Sequence, residues 1–124
     1  MSSNESPTEN APIVTLQKVA SVSDEDVNRE IQRIWAQLQA DPAVRRSIAA
    51  EAGVSEELLV GPSPPFTAGS PGSNYDVATA VAIFVGEAAV KALIASAMAG
   101  IWKQVIWPRI RNKFGAKLEP DKDD

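Results

Sequence analysis

The chain has 124 residues, no cysteine, no histidine and a formal charge of −4. Without cysteine there is no disulfide framework, thiolate nucleophile or cysteine metal site, and without histidine the commonest general base and transition-metal ligand are missing as well. With 44% apolar residues, enough for one modest core, the composition points to a non-enzymatic interaction protein with no catalytic residue, no metal and no cofactor.

Charge divides the chain at Asp76. Residues 1 to 76 carry 5 Lys+Arg against 11 Asp+Glu, a balance of −6, and residues 77 to 124 carry 7 against 5, a balance of +2. Lys103, Arg109, Arg111, Lys113 and Lys117 follow one another with no acidic residue between them, before EPDKDD restores negative charge.

Residues 1–22 read as a disordered or extended arm. MSSNESPTEN offers nothing to bury, and it lacks the basic and apolar regions of a cleavable secretion signal. IVTLQKV (13–19) is β-branched and roughly alternating, which suits a short strand or an extended docking arm.

Residues 23–60 predict a small helical module. Ser23 is an N-cap with Asp26 at the N3 position, and Val27, Ile31, Ile34, Trp35 and Leu38 then recur on one helical face. Asp41 caps a second helix with Pro42 in its first turn, and Gly53 stops it. Ser55 caps a short third turn, EELLV, giving an antiparallel bundle or helical hairpin. Residues 61–75 follow as a Pro/Gly-rich linker, since GPSPPFTAGSPGS resists regular structure.

Within this module, IAAEAGVSEELLVG (48–61) resembles the helix-turn-helix of the lac-repressor type: Ile48, Ala49, Ala52, Gly53, Val54 and Ser55 stand in the motif's places. The resemblance implies a recognition helix after Ser55. That helix would begin with Glu56 and Glu57 and stop at Gly61 and Pro62, so it offers carboxylates where phosphates must be met. No nucleic acid is expected as a partner, and the motif reads as a helix corner. Neighbouring acids such as Glu56 and Glu57 also point to different sides of a helix, which does not suit a two-carboxylate or metal site.

Residues 76–115 predict one long hydrophobic helix with a basic C-terminal end, followed by an acidic tail, 116–124. Val77 to Trp102 would be about 39 Å long at ~1.5 Å per residue, against roughly 30 Å for a bilayer core. Trp102 and Trp107, with Lys103, Arg109, Arg111 and Lys113, would anchor it at the membrane interface, leaving the C-terminus cytoplasmic. Glu87 and Lys91 oppose insertion, yet they stand four apart in the favourable order for an intrahelical ion pair. Ala88, Ala92, Ser96 and Gly100 form a small-residue row that lets a second helix approach. Pro108 marks an end or kink at Trp107.

The expected fold is therefore all-α: an N-terminal bundle or hairpin, a linker and one long helix. The expected function is that of a membrane-associated, single-pass protein that self-associates or recruits a helical partner, with a pore-forming or holin-like role as one version. The alternative is a cytoplasmic adaptor or oligomerisation module whose long helix is buried in a protein core. An electrophoretic shift assay with micromolar protein and duplex DNA at low salt should show no salt-sensitive complex.

Overall fold

The computed structural model describes residues 12–71, 78–86 and 95–120. In chain order the elements are β1 (Val14–Lys18), α1 (Asp24–Ala40), α2 (Pro42–Ala52), a 3-10 turn (Glu56–Leu59), β2 (Phe66–Gly69), β3 (Ala80–Val85), α3 (Ala95–Ile101), a π-helical segment (Trp102–Ile106), α4 (Trp107–Phe114), a 3-10 turn (Gly115–Lys117) and β4 (Leu118–Pro120). The strands form one four-stranded antiparallel sheet in the order β2-β3-β1-β4. The fold is mixed α/β, and the all-α expectation is corrected.

The correction turns on β3. AVAIFV lies inside the stretch expected as helix, and because every residue is apolar it shows neither a helical nor an alternating period. Its Val81, Ile83, Phe84 and Val85 favour a pleated surface. In an interior strand buried on both faces, continuous apolarity is the expected pattern. Gly86 ends the strand, its N–H donating to the Pro65 carbonyl at 2.8 Å.

The apolarity that suggested one spanning helix is thus divided between β3 and the later helices. No helix among the described residues is long and apolar enough to cross a membrane. The single-pass helix, the membrane association and the membrane localisation with a cytoplasmic C-terminus are therefore withdrawn.

Other strands come from stretches read as non-helical. IVTLQKV supplies β1, paired with β3 on one side and β4 on the other. The Pro/Gly-rich stretch holds β2. By register, Leu16, Val81, Ile83, Val85, Phe66, Ala68 and Leu118 share one sheet face. They join Val27, Ile31, Ile34, Trp35 and Leu38 of α1 and Met98, Ile101, Trp102, Val105, Ile106 and Ile110 of the C-terminal helices in one core. On the opposite face Ala80 and Ala82 are buried too, and the Phe84 ring lies 3.5 Å from where a Cβ on Gly69 would stand.

The N-terminal helices form as the sequence indicates. Ser23 and Asp26 make a reciprocal capping box, whose hydrogen bond from the Ser23 N–H holds the Asp26 carboxyl below its ordinary pKa. Asp41 caps α2 and Gly53 ends it in the left-handed region, φ 70°. Arg45 reaches back to the Leu38 carbonyl at 2.9 Å, satisfying an orphan acceptor at the end of α1.

Both sheet edges are closed. At β2, the Asn28 carboxamide of α1 donates to the Ala68 carbonyl at 2.9 Å and accepts from the Ala68 N–H at 2.8 Å, standing in for a neighbouring strand. At β4, the Leu118 N–H is taken by the Gly115 carbonyl, and Pro120 has no N–H to offer.

Asn28→Ala should destabilise the protein by about 1 to 3 kcal/mol in urea unfolding, because both Ala68 groups lose their partner. Asn28→Asp keeps an acceptor but turns a carboxylate on the Ala68 carbonyl. Only its protonated form can donate there, so its folded-state pKa is raised, and its destabilisation should shrink at low pH and grow as pH rises through that value.

Candidate binding cleft

Pro108 shapes the C-terminal helices. In a regular α-helix it would have no N–H for the carbonyl four residues back, and its ring would press on that group. The turn before it is instead π-helical, with the Trp107 N–H bonded to the Trp102 carbonyl. Arg109 extends its guanidinium to the Val105 carbonyl at 2.9 Å, supporting the altered ladder. The expected end or kink at Trp107 takes the form of a widened turn through which the helix continues.

The widened turn brings the two tryptophans together. Residues five apart in an α-helix point about 140° away from each other around the axis, whereas a π-turn closes its hydrogen bond over five residues and aligns them. The Trp102 and Trp107 rings stack with centroids 6.3 Å apart and 29° between planes. Trp102 is 5% exposed and also meets Phe66 of β2, centroids 5.7 Å apart. Trp107 is half-buried.

Beneath this pair is a cleft of about 360 Å³, walled on the strand side by Ile13, Val14, Leu16 and Pro120 and on the helix side by Ala99, Trp102, Lys103 and Trp107. Its volume lies in the range of ligand sites, roughly 300 to 1,000 Å³. Among the described residues the lining is apolar apart from Lys103. On the far side of Trp107 lies a second, more open hollow of about 580 Å³, bounded by Pro108, Arg111, Asn112, Gly115, Ala116 and Glu119. Lys103, Trp107 and Arg111 stand at successive four-residue steps along the helix.

The larger hollow beside α1, about 760 Å³, is a packing seam. Trp35 Nε1 donates to the Gly61 carbonyl at 2.9 Å, Gln39 Nε2 donates to the Leu59 carbonyl at 2.7 Å, and Gln39 Oε1 accepts from the Gly61 N–H at 3.2 Å. These bonds strap the Pro-rich stretch to α1. The segment matching a recognition helix is one 3-10 turn, Glu56–Leu59. Glu56 there is bonded to Arg45 at 3.0 Å and lies 3.8 Å from Arg46.

Four residues expected as interface anchors, Trp102, Trp107, Lys103 and Arg111, gather around the cleft and its neighbouring hollow. Arg109 turns to the Val105 carbonyl, and Lys113 is exposed. Of the small-residue row, Ser96 is exposed and Gly100 half-buried on α3, with open space where a Cβ on Gly100 would stand. Ala88, Ala92, Glu87 and Lys91 lie outside the described residues. The strand wall of Ile13, Val14, Leu16 and Pro120 carried no sequence signal of a site, because its place depends on pairing partners distant along the chain.

No family model matches the sequence, and comparison with curated proteins and with solved structures finds no similar one.

The two tryptophans should separate by mutation. Trp102→Ala, in the core, should cost about 3 to 5 kcal/mol. Trp107→Ala, half-buried at the cleft, should cost no more than about 2 kcal/mol in the same unfolding measurement.

Proposed function

We propose that this protein is a non-enzymatic binding domain, an adaptor or recruitment module, whose cleft receives one apolar side chain of a protein partner. The observation that carries this reading is the stacked Trp102–Trp107 pair over an apolar cleft. Aromatic residues in concave, largely dry pockets dominate the energetics of protein recognition. Among the described residues the lining supplies one amine and no carboxylate, hydroxyl or thiol, so these residues offer no nucleophile and base pair.

Titrating the 15N-labelled protein with N-acetyltryptophanamide and N-acetylleucinamide should shift the Trp102 and Trp107 indole N–H signals and the amides of Val14 and Leu16. Trp107→Ala should weaken binding about tenfold, equivalent to ~1.4 kcal/mol. No shift up to the solubility limit of both probes would overturn the reading. Sedimentation with and without probe tests self-association: an oligomer that the probe dissociates identifies a second copy as the natural partner.

A further inference from the structure

Among the described residues the arginines of the first two helices are paired with carboxylates, whereas the cations of the C-terminal segment are not. Arg29, Arg33, Arg45 and Arg46, on α1 and α2, all form ion pairs, with Asp26, Glu30 and Glu56. Lys103, Arg111 and Lys117 are exposed, and none of them forms an ion pair among the described residues.

These three lie along one path. The apolar cleft and the hollow beyond it share Trp107 as their common wall. That second hollow shares Ala116 and Glu119 with a third, of about 160 Å³, which Lys117 lines. Lys18 also borders the third hollow, but it is 9% exposed and its amine is engaged by the Ala78 carbonyl at 2.9 Å. The path therefore runs from an apolar socket past Lys103 and Arg111 to Lys117. Among the described residues, Glu119 is the single acidic one on its walls.

We propose that the partner segment is an acidic peptide that seats one apolar side chain in the Trp102–Trp107 cleft and lays its following carboxylates against Arg111 and Lys117. The proposal rests on the cleft reading given above and adds the chemistry of the occupant. Unpaired cations beside an apolar anchor site set orientation and association rate, since opposite charges steer an approaching segment and fix its register. A single-stranded nucleic acid fits less well. Trp107 already stacks on Trp102, and Glu119 interrupts the path, where a single-stranded backbone would bring a phosphate at every step.

The test uses three blocked peptides, each one phenylalanine followed by three glutamates, three glutamines or three lysines, with a dodecamer of deoxythymidylate as a fourth probe. Tryptophan fluorescence titration at low salt should give an affinity for the glutamate peptide about tenfold above that for the glutamine peptide, a difference that shrinks as ionic strength rises. The double variant Arg111→Glu, Lys117→Glu should reverse the preference. Lys113→Glu, an equal change per residue at an exposed cation off the path, should preserve it, and Glu119→Gln should tighten the glutamate peptide about threefold. Equal binding of the glutamate and glutamine peptides would overturn the acidic partner while leaving the cleft reading intact. Binding of none of the peptides would overturn both. Tighter binding of the oligonucleotide than of the glutamate peptide would overturn the peptide in favour of nucleic acid.

Discussion

A strand that is apolar on both faces cannot lie at the edge of a sheet or on its own, and β3 imposes that constraint on the whole chain. Its backbone needs hydrogen-bonding neighbours on both sides, which β1 and β2 provide. One face needs a helical layer, which α1 and the C-terminal helices provide. On the other, Ala80 and Ala82 are buried and the ring of Phe84 is laid toward Gly69. An N-terminal stretch and a Pro/Gly-rich stretch that would have little structure alone are drawn into the sheet because β3 requires partners.

What the sequence disclosed follows from how local each signal is. Ser23, Asp26, Asp41, Pro42 and Gly53 act on their own turns, and α1 and α2 begin and end where those residues place them. The apolar face of α1 from Val27 to Leu38 is likewise a local pattern, and it enters the core as expected. Ala80 to Val85 carries no period because neither side of β3 faces water, and a short buried strand then reads like part of a helix. Phe66–Gly69 is too short, and too closely set among prolines, to announce a strand.

The cleft was legible only in part. Trp102, Trp107 and the basic run were visible as a cluster, but the cluster suggested an interface with lipid. Five-residue spacing sets two side chains apart on an α-helix, so the stacking of Trp102 on Trp107 depends on the π-turn before Pro108. Asn28, Gln39 and Arg45 carried no signal at all, being ordinary polar residues of helices. Each is bonded to backbone outside its own helix or at a helix end: Asn28 to β2, Gln39 to the strap at Leu59 and Gly61, Arg45 to the last turn of α1. Through them the first helix serves as the template on which non-helical segments take their places.

The pairing of β1 with β4 also bears on how the protein is made. Leu16 meets Pro120 and Lys18 meets Leu118, so one side of an interior strand is completed only by residues near the opposite end of the described chain. During synthesis α1 and α2 can form early from local contacts, whereas β1 must wait, with one hydrogen-bonding side open, until the C-terminal helices and β4 have left the ribosome. Closing so long a loop before its contacts are made is entropically slow, which places refolding nearer the millisecond-to-second regime of β-rich domains than the microsecond regime of helical bundles. The nascent chain is most open to wrong strand partners in that interval, and the closed edges of the finished sheet give it no protection until the last strand is in place.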